Sequence, residues 1–446
     1  LRAILGFRNA KSFEEGLLLF SFALLPLWWV FGFDLFIFHI VAVCAFLSRK
    51  SYRSISTFEI LILLVIFVCS ISSILAAFSG ASPGRIFSAA FNISNNFVIL
   101  AFALLGFTVA REGASDRLIR TLAITVGLMA AIAAVTYTAY AVFGLREVNV
   151  PTLLGLAPQT SFALVSEYQS LTIFKVQWFN EGFVYRAYVF SPFATASAFV
   201  CNILLACFFL ASASRSREYG NELHLSIFLV FAVCFYVGVS LTRTQIVALP
   251  IIIFSAVLAS KLRLSAISIL ALVSIPVLVP VIIPLVEALL GAREGSNSAR
   301  FASYSMAQAL VLENSPLIGI GLKPTISEFL IPIGSHSSVL SYLVRGGLIA
   351  SLAALIAFVL FPLKWALVSL LRMASDPSVP RFSLAYGCVS VVAILIFYPF
   401  GEMDAYPIVS ASVGLFLGLL RGTESRLANL PTHAARRAGV FSVQPG

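Results

Sequence analysis

Apolar runs of 15 to 28 residues recur from one end of this 446-residue chain to the other, and no other feature constrains its fold as much. A helix crossing a hydrocarbon core of about 30 Å needs about 20 residues. In lipid every backbone N–H and C=O must find its partner inside the protein, so runs of this length can only be helices. A transmembrane barrel would instead show short alternating segments. The rest of the composition agrees, with 60% of residues hydrophobic and 11% charged, against about 25% charged in soluble domains. The sequence therefore predicts an all-α, polytopic integral membrane protein, with the lipid bilayer as its first partner.

The runs predict twelve spans, at about 16–31, 35–48, 58–78, 92–110, 119–144, 192–212, 223–241, 244–260, 264–286, 337–370, 383–399 and 406–420. Residues 16–48 also read as one bent helix around Pro26. With both termini on one side, twenty of the 29 Lys and Arg residues fall on that side and nine on the other. The side with the excess is expected to be cytoplasmic. The net charge of +10 sits in short clusters between apolar runs, as topology signals do, so nucleic acid is not an expected partner. All six cysteines lie inside apolar runs without metal-ligand spacing. They read as small buried hydrophobes, and neither metal nor cofactor is expected. No cleavable signal peptide is expected at the start, where the first run follows Arg2, Arg8 and Lys11 and reads as a retained span. The division predicted is one transmembrane domain over 1–421 and a loose cytoplasmic tail over 422–446. Within the domain, two long loops, about 145–191 and 287–336, lie on the side poor in basic residues. Loops of that length are usually functional, and both contain helix-like patches. Over 297–314, Asn297 or Ser298 caps a helix whose apolar face is Ala302, Met306, Ala309 and Leu310, with Arg300, Tyr304 and Gln308 on a polar stripe.

Three arginines on the loop side sit close to the expected membrane plane: Arg186 before span 6, Arg243 at the start of span 8, and Arg300 at the start of the loop helix. A guanidinium at a helix N-terminus adds its charge and planar donor fork to free N–H groups, which makes an anion site. A lipid diphosphate suits it. Each arginine alone is also an ordinary anchor to phospholipid headgroups. His336, one of four histidines, stands where GSHSS becomes an apolar helix. It reads either as an ordinary helix cap or packed imidazole, or as an imidazole that takes a proton from a hydroxyl near neutral pH.

NSPLIGIGLKPT (314–325) followed by GSHSSVLSYLVRGGL (334–348) resembles the signature of the O-antigen ligase and Wzy-type polymerase superfamily. YRAYVFSPFATASAF (185–199) and SLTRTQIVAL (240–249) are similar to two further segments of that family, and Arg300 matches its arginine ahead of the Pro-Leu-x-Gly turn. Ser337 stands where the family often has Asn after the histidine, and Phe193 where Asn is usual after the proline. The resemblance covers roughly residues 180–350. It implies a metal-independent, inverting glycosyltransferase at the periplasmic face of the bacterial inner membrane, with both termini cytoplasmic. The donor is an undecaprenyl-diphosphate-linked glycan. The acceptor is another lipid-linked glycan in a polymerase, or the lipid A core in a ligase. His336 would be the general base; Arg243, Arg186 and Arg300 would hold the diphosphate. Arg345 would stand behind them or serve as an ion-pair partner. Glu181 and Glu313 read either as substitute bases or, more simply, as solvated loop carboxylates. Acceptor contacts fall to 145–185, where Lys175, Trp178, Tyr168 and Tyr185 could stack on sugars.

Two other readings stay open. A polyprenyl-phosphate-sugar transferase of the C-type fold would use an acidic residue of the first outer loop, and Asp34 lies there, with Glu402 and Asp404 as a second acidic pair. A lipid-linked oligosaccharide flippase would place ionisable residues inside the spans.

Overall fold

The computed structural model describes residues 12–48, 55–156, 163–179, 182–215, 222–261, 294–325, 332–375 and 381–429. Helices dominate them: α1 (Phe13–Ala23), α2 (Leu25–Phe31), α3 (Asp34–Ser48), α4 (Thr57–Phe78), α5 (Pro83–Glu112), α6 (Asp116–Phe143), α7 (Ala163–Gln169), α8 (Ala194–Ala213), α9 (Glu222–Ser240), α10 (Arg243–Lys261), α11 (Glu294–Asn314), α12 (Ser338–Leu355), α13 (Phe361–Ser375), α14 (Arg381–Val389), α15 (Val391–Phe400) and α16 (Pro407–Ala428). By length and apolarity seven stretches can cross a membrane: α4, α5, α6, α8, α10, Ser338–Met373 and Arg381–Phe400. The pair α1 and α2, bent by 50° where Leu24 and Pro26 interrupt the ladder, makes an eighth. Asp34–Leu47 and His224–Ser240 are apolar but shorter. The expected span at 264–286 lies outside the described residues.

Polar residues set the helix ends. Ser56 and Glu59 form a capping box on α4, and the Ser115 hydroxyl caps α6; each satisfies N–H groups a helix leaves orphaned. The α6 cap is tied to α1, because Ser115 N–H donates to Glu15 Oε1 at 2.8 Å. The same end of the bundle holds Arg421 against Glu59 at 3.0 Å and Arg215 against Asp116 at 2.9 Å.

At the centre α5 and α16 pack with almost no gap. A Cβ on Gly414, Gly418 or Gly422 would lie 2.4, 2.1 or 2.7 Å from the Ile99 carbonyl, the Ala103 carbonyl or the Ala110 Cβ. A small residue every fourth position lets two backbones meet, the usual solution where lipid offers no hydrophobic drive between helices. Around this pair α8 is buried on all sides, as expected of a helix apolar all round. The six cysteines are free, four buried and Cys44 and Cys234 half-buried.

Three features differ from expectation. The described residues of 145–191 carry an antiparallel sheet in the order β1 (Glu147–Pro151), β2 (Ser170–Phe179), β3 (Gly182–Ala187), with the short α7 and a 3-10 turn at Leu154–Leu156 as the helical parts. SLTIFKVQWF alternates and is rich in β-branched and aromatic residues, a strand pattern. Its inner face stacks Phe174 on Tyr185, which meets Tyr137 of α6 edge-on. Second, α11 buries Ser303, Ala307 and Val311 and leaves Ala302 and Ala309 of the expected face exposed, while Met306 and Leu310 of that face are half-buried against the same cluster. The helix is turned by about one residue because Ala307 and Val311 cluster with Ile333, Leu340 and Val344. Third, the presumed tail is helical as far as Ala428: Gly422 and Thr423 are buried, and Arg372 Nη1 donates to the Glu424 carbonyl at 3.3 Å. Residues 430–446 lie outside the described residues.

Candidate functional site

The two halves of the PLIGIG … RGGL motif are partners. α12 breaks at Gly347, whose φ of 62° and ψ of −159° are not helical. The break strands backbone groups of the turn around it. The segment after Pro316 takes them: Ile320 N–H donates to the Val344 carbonyl at 2.8 Å, and Leu348 and Ile349 N–H donate to the Pro316 and Leu317 carbonyls at 2.9 and 3.2 Å. Irregular backbone at membrane depth survives only when protein satisfies it in this way. Both sides need glycine, since a Cβ on Gly319 would sit 2.5 Å from Gly347 N, and one on Gly347 2.4 Å from Leu317 C. From the other side Ser72 and Ser73 of α4 donate to the Gly319 and Gly321 carbonyls at 3.1 and 3.0 Å.

Eleven residues before that break stands His336. Ser337, not His336, caps α12, its hydroxyl accepting from Leu340 N–H at 3.4 Å; the cap reading of the histidine is thereby corrected. His336 is half-buried and adopts φ of 65°, a left-handed conformation that costs a non-glycine residue energy and clusters at functional sites. Its backbone is held on both sides. The N–H donates to Glu402 Oε1 at 2.6 Å, and the carbonyl accepts from the Tyr304 hydroxyl at 3.1 Å. Glu402 also pairs with Lys323, whose carbonyl accepts from Arg85. Burial by itself would raise the Glu402 carboxyl; the Lys323 ammonium and the His336 N–H outweigh it and hold the group below its usual range.

Two residues on, Asp404 is fully buried and paired with Arg345, itself 1% exposed. Asn96 Nδ2 donates to Asp404 Oδ2 at 3.0 Å and Asn95 Nδ2 to its carbonyl at 2.9 Å, while the Tyr342 hydroxyl donates to Asn96 Oδ1 at 2.9 Å. Of the two roles open to Arg345, the structure shows the ion pair. Glu402 and Asp404 therefore do not act as one acidic pair: each answers a different cation.

The arginines approach from the neighbouring elements. Arg186 of β3 is half-buried; its Nη1 reaches Gln177 Oε1 at 3.5 Å and its Nη2 reaches Thr195 Oγ1 at 3.4 Å. Phe193, two residues before Thr195, stacks on Tyr406 with centroids 5.1 Å apart, and Tyr406 ends the turn that carries Glu402. Arg243 opens α10 at the same end of the bundle, two residues before Gln245, which accepts from Asn202 of α8 at 2.9 Å. Leu241, with φ of 46°, makes the sharp turn into that helix. Arg300 is the seventh residue of α11 rather than its start, so the free N–H groups of that terminus are not beside it; its side chain lies outside the described residues. Glu181 and the Trp178 side chain lie outside them as well, and Glu313 is exposed. Tyr185 packs inward on Phe174 and is not available to a sugar. Lys175 pairs with Glu147 at 3.3 Å.

Sequence reasoning missed Lys323 and Tyr304 as supports of His336, and it placed Glu402 in the wrong group. Among the described residues, no three His, Cys, Asp or Glu side chains converge in a way that could hold a metal ion. No protein-family model and no curated protein matches the chain.

Proposed function

We propose that this chain is a membrane glycosyltransferase that moves a glycan from an undecaprenyl-diphosphate carrier to a sugar hydroxyl, as an O-antigen or exopolysaccharide polymerase. The observation that carries this reading is His336 itself: a histidine in a costly backbone conformation, braced by Glu402, Lys323 and Tyr304 at the end of the bundle where Arg186 and Arg243 also lie. In the reaction, the acceptor hydroxyl gives its proton to the His336 imidazole and its oxygen attacks the anomeric carbon. The bond from that carbon to the diphosphate oxygen breaks, with inversion, and Arg243, Arg186 and Arg300 take up the charge left on the diphosphate. The topology proposed has twelve spans, cytoplasmic termini and the site at the periplasmic face of the bacterial inner membrane, as the Lys/Arg asymmetry supports. A ligase would run the same chemistry on lipid A core. The buried Arg345–Asp404 pair is the one feature that favours a transporter instead, but Ser341, Asn95 and Asn96 fix it in place.

Deleting the gene and resolving the cell's polysaccharide on a gel tests this. A polymerase mutant leaves core capped with a single repeat, and a ligase mutant leaves bare core with lipid-linked glycan accumulating. His336→Gly is the right probe of the base, because glycine accepts the left-handed backbone that alanine would strain. It and Arg243→Ala should reproduce the deletion phenotype with normal amounts of protein in the membrane. Normal banding in both refutes the assignment.

A further inference from the structure

A cavity of about 160 Å³ lies at the loop end, between the junction of α2 and α3, the start of β2 and the turn 191–193. Its volume is several times the roughly 30 Å³ that one water occupies in the liquid. Gly32, with φ of 75°, brings its backbone so close to the Tyr168 carbonyl and Thr152 Oγ1 that a Cβ would lie 2.7 and 2.9 Å from them. Thr152 fixes the opposite wall, its hydroxyl donating to the Tyr168 carbonyl at 2.7 Å. Two polar groups that line this cavity are unsatisfied. Asp34 is 3% exposed and its Oδ1 has no hydrogen-bond partner; Tyr168 is 4% exposed and its hydroxyl has none either. Buried polar atoms are nearly always paired, so two orphans on one cavity are a ligand-binding feature. Glu167 stands exposed at the rim. The Ser170, Thr172 and Ser191 residues and the aromatic rings of Trp29 and Phe193 complete the lining.

Burial raises the Asp34 carboxyl well above its usual range, so it offers a donor as well as acceptors, as a phenol or serine hydroxyl does. The ligand must therefore bring several donors and acceptors, together with an apolar face for the rings. A pyranose has this make-up. A divalent cation does not fit as well, because calcium takes six to eight oxygens and commonly several carboxylates. We infer that this cavity binds one sugar ring, with Asp34 and Glu167 holding its hydroxyls and Phe193 covering its apolar face. Phe193 also stacks on Tyr406, in the turn whose Glu402 holds His336, so the ring bound here belongs to the acceptor. That last assignment rests on the glycosyltransferase reading; the binding of a sugar does not.

The test uses the full chain in lipid nanodiscs and saturation-transfer NMR with methyl α-D-glucopyranoside, methyl α-L-rhamnopyranoside and N-acetylglucosamine. At least one should bind in the millimolar range, and Asp34→Asn and Glu167→Gln together should weaken it about tenfold or more, as loss of one or two hydrogen bonds to the sugar does. Thr172→Val serves if Asp34→Asn fails to fold. No binding by any of the three, binding unchanged in the variants, or loss in the variants of calcium binding alone overturns the inference. The two readings fail separately. Normal polysaccharide after gene deletion removes the enzyme and leaves the sugar site. A deletion phenotype combined with glycoside binding indifferent to these substitutions removes the site alone.

Discussion

Replacing Lys323 by Met should make stability near neutrality depend on pH through Glu402, which in the native protein contributes no slope there. In the native protein the Glu402 carboxyl is held below its ordinary value by Lys323 and the His336 N–H, against burial that pushes the other way. A carboxyl lowered by folding stabilises the native state above its unfolded value of about 4.3 and loses that contribution as pH falls through the folded one. Between pH 7 and 5 Glu402 therefore adds no slope. Without the ammonium, burial prevails and the native state binds a proton that the unfolded chain does not. Stability then rises as pH falls, by up to about 1.4 kcal/mol per pH unit. Both side chains are only about a tenth exposed, 11% for Lys323 and 10% for Glu402, so removing one partner should cost about 3–5 kcal/mol at pH 7. The double variant Lys323→Met, Glu402→Gln should recover part of that loss. The remainder is the weakening of the His336 N–H bond from charged to neutral acceptor, about 1 kcal/mol. Reversible unfolding of the embedded protein, measured by steric trapping at pH 7 and 5, reads all four states. Identical pH slopes in the native protein and in Lys323→Met would falsify the account.

Gly347→Ala should cost at least about 1–2 kcal/mol, from its left-handed φ alone, with a further loss from contact with Leu317, seen as a lower unfolding midpoint. Arg345→Met should cost about 3–5 kcal/mol, and Arg345→Met with Asp404→Leu much less, since the second substitution removes the stranded charge; additive costs would contradict the pairing. Gly418→Leu should prevent α5 and α16 from meeting and abolish stable expression, because its Cβ would lie 2.1 Å from the Ala103 carbonyl. The variant Ser72→Ala, Ser73→Ala should leave the global midpoint within about 2 kcal/mol, one hydrogen bond each, yet speed amide exchange across 316–321.

How much of this was legible differs from residue to residue. The helical membrane class followed from run length alone, because lipid leaves the backbone no alternative. The segments 314–325 and 334–348 were also legible as a unit, although their physical reason was not. That Gly319 fits against Gly347 and that Pro316 caps the break in α12 depend on two stretches about thirty residues apart meeting backbone to backbone. Glu402 was visible only as one of two neighbouring acids. Its partners, Lys323 and the His336 N–H, lie 79 and 66 residues away, and no local pattern announces a contact at that range. The stripe Gly414, Gly418, Gly422 is plain in the sequence and is a known packing signal; the expected span ends at 420 and leaves Gly422 in the expected tail, which divides the stripe. The sheet at 147–187 has one local signal, the alternation in SLTIFKVQWF, while its pairing with 147–151 and 182–187 depends on contacts that no single segment displays.

Two costs at membrane depth, a broken helix and a buried ion pair, share one short stretch of α12, and this explains why neither is removed. Arg345 lies two residues before the break at Gly347 and one after Val344, whose carbonyl Ile320 satisfies. Arg345 in turn grips Asp404, in the same turn as Glu402. The turn is further sewn to the start of α12, where Ser338 N–H and hydroxyl both donate to the Gly401 carbonyl at 2.8 Å and the Ser338 hydroxyl accepts from Met403 N–H at 3.0 Å. His336 is therefore fixed twice, once along α12 through the Ser337 cap and once across to Glu402. A packed apolar pair in place of Arg345 and Asp404 could match their stability, but it would supply no directional hold on the turn that carries Glu402. The charge pair is best understood as a positioning element, and its loss should loosen His336 before it unfolds the bundle.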